Sequence, residues 1–258
     1  MFEKIKCFIL DMDGTIYLGN ELFPFTKDFL KKVEDTGREY YFFTNNSSKS
    51  QQAYIEKLGK LGIQIKKDQM MTSSHVIVKY LKEHYEGKSI YVLGTQSLIQ
   101  EFQYFDMNLT EEDPDIVVLG FDTTLTYEKL SKACHYIRNG CIYFGINPDW
   151  NCPMEGGAFI PDCGSIAKLI EASTGRFPEF FGKPSKHTLD YIIQETGYEP
   201  DEIAIVGDRL YTDIAVADQS DVMSILVLSR ESTREDVKTS DVKPNVILED
   251  LSEITKML

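Results

Sequence analysis

Short, wholly apolar runs alternate along this chain with segments that repeat apolar residues every three to four positions, the signature of strands interleaved with amphipathic helices. The run at 5–10, ending in Cys7-Phe8-Ile9-Leu10, reads as a strand buried on both faces, as inside a parallel sheet. A helix over 25–34 closes at Gly37, and an aromatic-rich strand follows at 39–43. Ser48-Lys49-Ser50-Gln51 has capping-box spacing before a helix running to about 61. Thr72-Ser73-Ser74 offers an N-cap to a helix over 75–86. Strands are predicted at 89–94 and 115–120, both ending in Val-Leu-Gly and each followed by a polar turn and a helical pattern, and again at 141–146. Helices at 166–174 and 188–196 close at Gly175 and Gly197. A strand at 203–206, a helix starting at 213–217, a strand at 224–228, and a short strand plus closing helix over 245–258 complete the chain. The order predicts an α/β fold, a parallel sheet flanked by helices, with the middle segment forming an inserted unit of its own. Between 147 and 164 periodicity is lost, with three prolines and three glycines in the segment. A long aperiodic stretch in a compact chain is more often functional than idle.

Composition narrows the classes. The 258 residues suffice for one large domain or two moderate ones. No apolar stretch approaches the ~20 residues of a membrane span. Acidic Glu3 precedes any apolar run, unlike a secretion signal. Five cysteines without a Cys-x-x-Cys pair read as reduced thiols of a cytoplasmic protein and argue against zinc. The net charge of −14 and a pI near 4.8 disfavour nucleic acid and anionic membranes as partners. An acidic protein that binds phosphate needs local cations or a metal, so basic residues beside acids carry extra information.

Ligands of open α/β sheets bind beyond the carboxyl ends of the strands, and four polar groups lie at or near such ends. Asp11-Met12-Asp13-Gly14-Thr15 follows the first strand. Its two carboxylates share a cation, divide into nucleophile and proton carrier, or belong to a solvated turn in which Gly14 supplies a positive φ. Thr44-Asn45-Asn46 offers a hydroxyl and amides to an anion, or equally turn and cap chemistry. Gly207-Asp208 adds a third carboxylate, making a hard oxygen cluster suited to Mg²⁺. Asp213 reads as the cap of the next helix or as support for the metal. Lys183, set in Phe180-Phe181-Gly182-Lys183-Pro184, is a lysine placed to meet an anion. The single tryptophan, Trp150, lies with Asn151 and Glu155 in the aperiodic stretch and divides between substrate contact and loop packing. His75, His84, His135 and His187 read as surface, packing or helix-start residues.

Taken together and in order, Asp11-Met12-Asp13-Gly14-Thr15, Thr44-Asn45, Lys183 and Gly207-Asp208-Arg209-Leu210-Tyr211-Thr212-Asp213 resemble the four motifs of the haloacid dehalogenase (HAD) superfamily. Thr44-Asn45-Asn46-Ser47, Asn147-Pro148-Asp149, Glu155-Gly156-Gly157 and Gly182-Lys183-Pro184-Ser185 resemble its 4-nitrophenylphosphatase and phosphoglycolate-phosphatase-like enzymes with a type IIA cap. The resemblance implies a Rossmann-like core, taken as 1–78 and 180–258, and an inserted α/β cap at 79–179. It implies a Mg²⁺-dependent phosphatase of small phosphorylated metabolites, acting through an aspartyl-phosphate. Asp11 is then the nucleophile and Asp13 the acid and base. Asp11, Asp208 and the Asp13 backbone carbonyl hold the metal; Thr44, Asn45, Asn46 and Lys183 bind phosphate. Asp213 supports the metal's waters or orients Lys183, and Trp150, Asn151 and Glu155 read the substrate. Dimerisation through the cap is a further implication. A phosphotransferase or mutase on the same chemistry, and a non-catalytic phosphate-binding sensor, are the competing functions.

Overall fold

The computed structural model describes residues 2–154 and 157–258. The chain opens with β1 (Cys7–Leu10), a ribbon of β2 (Tyr17–Leu18) and β3 (Glu21–Leu22), α1 (Thr26–Asp35), β4 (Glu39–Thr44) and α2 (Gln51–Lys60). Then come β5 (Met70–Thr72), α3 (Ser73–His84), β6 (Ile90–Leu93), α4 (Gln96–Tyr104), β7 (Ile116–Leu119), α5 (Tyr127–Arg138) and β8 (Ile142–Gly145). A hairpin of β9 (Asn151–Pro153) and β10 (Phe159–Pro161) precedes α6 (Cys163–Thr174), β11 (Glu179–Phe180) and α7 (Lys186–Thr196). β12 (Ile203–Gly207), β13 (Met223–Val227), α8 (Arg234–Thr239), β14 (Val246–Leu248) and α9 (Leu251–Met257) end it. No helix among the described residues is long and apolar enough to cross a membrane.

The chain divides into two compact units, one of Met1–Thr44, Ile55–Met71 and Lys183–Leu258, the other of Asn45–Tyr54 and Thr72–Gly182. The first holds a six-stranded sheet in the order β14-β13-β12-β1-β4-β5. β1 is fully buried and pairs in parallel with β12 on one side and β4 on the other. Strand order therefore reverses at β1, which makes its carboxyl end a topological switch point. Register sharpens this: Leu10 lies opposite both Val206 and Phe42, and Val206 lies opposite Ile225. The strands therefore end along one edge, where Asp11 follows β1, Thr44 ends β4, Asp208 follows β12 and Leu228 follows β13.

In the second unit β11, β8, β7 and β6 form a four-stranded parallel sheet. The two Val-Leu-Gly strands lie side by side, with Ile90 opposite Ile116 and Leu93 opposite Leu119. Val117 and Leu119 pack with Ala133 and Ile137 of α5 and with Ile166 and Ile170 of α6 in one apolar cluster. Helix ends follow local chemistry: the Thr95 and Thr126 side chains accept the Leu98 and Lys129 amides, and α6 and α7 stop at Gly175 and Gly197 in left-handed conformations.

The α/β pattern holds, with local differences. The helix expected from 213 onward is instead one wide π turn, Leu210–Ile214, followed by a 3-10 turn, Ala215–Ala217. Asp213 is thus inside a turn and caps no helix. The stretch after 147 contains the β9–β10 hairpin, and β2, β3, β5 and β11 were not expected; strands of two or three residues are too short to display a period.

Candidate active site

Lys183 is the centre of charge at the sheet edge of the first unit. Its ammonium is buried and donates to Asp11 Oδ1 at 2.8 Å and to Asp213 Oδ1 at 2.6 Å. It also reaches the Phe43 carbonyl at 3.4 Å, at the end of β4 beside buried Thr44. Burial alone would lower the lysine's pKa, but the charges and hydrogen bonds of the two aspartates prevail and hold it above the usual lysine range. The second oxygen of Asp213 accepts the Arg209 amide at 3.1 Å. Asp213 thus links the Lys183 ammonium to the Arg209 backbone. Gly207 makes this possible: a Cβ there would come within 2.3 Å of the Asp213 side chain.

Asp208 is wholly buried at the end of β12. Its Oδ2 accepts the Glu231 amide at 3.2 Å, while its Oδ1 has no hydrogen-bond partner among the described residues. Burial, then the charges of Asp11 and Asp213, push its pKa well up, against the pull of Arg209. Asp11 is pushed up to about 7, by burial first and the Asp213 charge second, with Lys183 and Arg209 opposing. Ligand atoms of Asp11, Asp208 and Asp213 all lie within 4.8 Å of one another. Lys183 serves Asp11 and Asp213, and Arg209 is paired with Glu231, so the four carboxylates of Asp11, Asp208, Asp213 and Glu231 face two cations and leave a deficit of positive charge. That donor set is hard and oxygen-only, and a small divalent cation such as Mg²⁺ fits it. Since Asp213 is occupied by Lys183 and the Arg209 amide, Asp11 and Asp208 are the carboxylates available to hold such an ion.

Gly14 closes the turn after Asp13 with φ +95°, and a Cβ on it would stand 2.3 Å from Asp208 Oδ2. Both the positive φ and the contact demand glycine. The Asp13 side chain is 41% exposed and forms an ion pair with Arg230.

Sequence reasoning missed the segment after β13. Ser229 Oγ donates to the Gly14 carbonyl, Arg230 pairs with Asp13, and the Glu231 amide donates to Asp208. The Glu231 carboxylate lies 2.7 Å from Arg209 Nε, and the Ser232 amide donates to the Asp208 carbonyl at 3.1 Å. The signal was available, because these residues follow a buried strand that the apolar pattern predicts.

The second unit holds the other candidates. Asn45 donates through Nδ2 to Asp149 Oδ2 at 2.9 Å, and its carbonyl accepts the Ser73 hydroxyl at 2.8 Å. Asn147 donates to Asp149 and Asp162 and accepts from Ser47 at 2.7 Å, so the Asn147-Pro148-Asp149 motif anchors the segment that carries Asn45. Asn46 Oδ1 accepts from the Ser48 amide and hydroxyl, a local turn contact. Trp150 is half exposed, and Asn151 is exposed at the start of β9. Glu155 lies outside the described residues.

Residues 8–108 match a family model described as haloacid dehalogenase-like hydrolase, and residues 180–254 match a HAD-hydrolase-like model. An acid sugar phosphatase of Staphylococcus aureus is 33% identical over 252 residues, 97% of each chain. The chain belongs to the haloacid dehalogenase-like hydrolases. Among solved structures, a 4-nitrophenylphosphatase from Thermotoga maritima is similar at TM-score 0.95 and 42% identity, covering 99% of this chain and 98% of that one. A p-nitrophenyl phosphatase from Archaeoglobus fulgidus is similar at TM-score 0.92 and 25% identity, covering 98% and 99%. These full-length likenesses to phosphatases make the chain a phosphoric monoester hydrolase of the HAD family.

Proposed function

We propose that this phosphatase is Mg²⁺-dependent, acts on small phosphorylated metabolites and works through a covalent phosphoryl group on Asp11. The single observation that carries the reading is the Asp11–Lys183–Asp213 bridge beside the unpartnered buried oxygen of Asp208. A carboxylate held that way has a fixed direction of attack.

Asp11 would attack phosphorus in line, forming the carboxyl oxygen–phosphorus bond as the bond to the ester oxygen breaks. Asp13 would give its proton to the departing alkoxide, then take one from the water that cleaves the aspartyl-phosphate. Lys183 and the Thr44 hydroxyl would hold phosphoryl oxygens as charge builds on them. Asn45 and Asn46, next in the chain, are proposed to extend that set of donors. The carboxylates of Asp11 and Asp208 and the Asp13 backbone carbonyl would hold Mg²⁺. When bound, the ion would lower the repulsion between a carboxylate and a phosphate dianion. The second unit is read as the family's cap, with Trp150 and Asn151 among its substrate-reading residues. The names of the relatives support sugar phosphates as the first substrates to try.

The test is a panel of 4-nitrophenyl phosphate, sugar phosphates and phosphoglycolate, assayed with Mg²⁺ and with a chelator, for wild type and Asp11→Asn. Hydrolysis should require Mg²⁺ and fall by about three orders of magnitude or more in the variant. Turnover of no ester, or an Asp11→Asn variant as active as wild type, overturns the proposal.

A further inference from the structure

The segment Ser229-Arg230-Glu231-Ser232 touches the site through each of its residues. Ser229 holds the Gly14 carbonyl, Glu231 and Ser232 hold Asp208 through their amides, and Ser232 Oγ accepts the Leu210 amide at 3.2 Å. The segment is therefore tied to both acidic turns, and Ser232 is buried. Arg230 is the residue of this run whose side chain reaches out to a carboxylate with room to move: Asp13's side chain is 41% exposed and that of Arg230 19%. The guanidinium engages Oδ1 of Asp13 and so fixes the plane of its carboxyl group.

An aspartate on a turn, half open to water, samples several rotamers, and only some of them aim an oxygen at the leaving group. A misaimed proton donor loses rate steeply, because proton transfer demands hydrogen-bond geometry in the transition state. A planar guanidinium on a tethered segment fixes such a carboxylate better than a flexible ammonium would. We propose that Arg230 is a positioning residue for the leaving-group proton, holding Asp13 in the orientation from which it protonates the departing ester oxygen. The inference rests on the reading of Asp13 as the proton carrier. An ion pair at a partly exposed site often contributes nothing measurable to stability, so the test must read chemistry.

The leaving group supplies that reading. A nitrophenolate departs without needing a proton, whereas a simple alkoxide does not. Purified full-length wild type, Arg230→Ala and Arg230→Lys are compared by kcat/KM on 4-nitrophenyl phosphate and on glycerol phosphate, with Mg²⁺ present and thermal unfolding recorded alongside. In Arg230→Ala the alkyl ester should lose about 10–100-fold and the nitrophenyl ester about tenfold less, so that the ratio of the two falls by about tenfold. Arg230→Lys, which keeps the cation, should retain more of the ratio than alanine. A structural role would depress both esters alike. Equal losses on the two esters, or undiminished glycerol phosphate hydrolysis, in an otherwise active enzyme overturn this inference alone. Wild type inert toward both esters overturns the phosphatase reading and the inference with it.

Discussion

Replacing Asp208 by asparagine removes one charge from the buried cluster while keeping the side chain's shape. The wild-type carboxylate should be destabilising in the absence of metal, because burial and the charges of Asp11 and Asp213 disfavour its ionised form. At 4.8 Å, a like-charged pair at an effective dielectric near 20 repels by about 3.5 kcal/mol before Lys183 and Arg209 offset it. Linkage bounds the net effect. Burial and the neighbouring aspartates raise the Asp208 pKa, so the folded protein binds that proton more tightly than the unfolded chain. The penalty is therefore absent below the ordinary carboxyl range and grows as pH rises above it toward the folded value. Each pH unit is worth about 1.4 kcal/mol, giving a ceiling of about 4 kcal/mol at pH near 7. Relaxation of the site brings the expected gain in Asp208→Asn to about 1–3 kcal/mol, or about 2–8 °C in Tm for a chain of this size. The assay is thermal unfolding in a chelator, then across a Mg²⁺ titration. Asparagine should raise Tm in the chelator, more at pH near 8 than near 5. Wild type should gain about 2.7 kcal/mol at a hundredfold excess of Mg²⁺ over Kd, and the variant should lose most of that gain. A lower Tm for the variant in chelator at pH near 8, or an equal Mg²⁺ response, refutes the reasoning.

Lys183→Met should reduce kcat by about 100–1000-fold, as loss of an oxyanion donor does. It should also destabilise the fold by about 3–5 kcal/mol, because Asp11 and Asp213 lose their shared cation; urea unfolding should show this deficit shrinking at low pH, where Asp11, already pushed up by burial, is protonated. Gly14→Ala should abolish ester hydrolysis and the Mg²⁺ response together, since φ +95° and the 2.3 Å approach to Asp208 Oδ2 leave no space for a methyl group. In the second unit, Asn147→Ala should cost about 2–4 kcal/mol in urea unfolding, because it strips a buried donor from both Asp149 and Asp162.

Much of the site was legible because its residues sit where apolar runs stop. Asp11 and Asp208 follow β1 and β12, Thr44 is the last residue of β4, and four buried residues in a row at β1 mark where that strand ends. What stayed hidden depends on distant partners. Asp213 carries the sequence marks of a helix cap, yet its carboxylate is bound to Lys183, 30 positions earlier. Arg230 looks like an ordinary charged residue after a strand, and its partner is 217 positions away. The β9–β10 hairpin has prolines in both strands and too few residues to alternate. Asn45 read as a phosphate donor or a turn former, and its tie to Asp149 spans 104 positions that no local pattern encodes.

The central claim is that Asp11 takes the phosphoryl group. Enzyme turning over phosphorus-labelled 4-nitrophenyl phosphate, whose leaving group needs no proton from Asp13, is quenched in acid in the presence of Mg²⁺ and its peptides are mapped. Label should appear on Asp11, be absent from Asp11→Asn, and accumulate when Asp13→Asn removes the base that frees the phosphate. Turnover by wild type with no label on residue 11 in either the native enzyme or the Asp13→Asn variant contradicts the account.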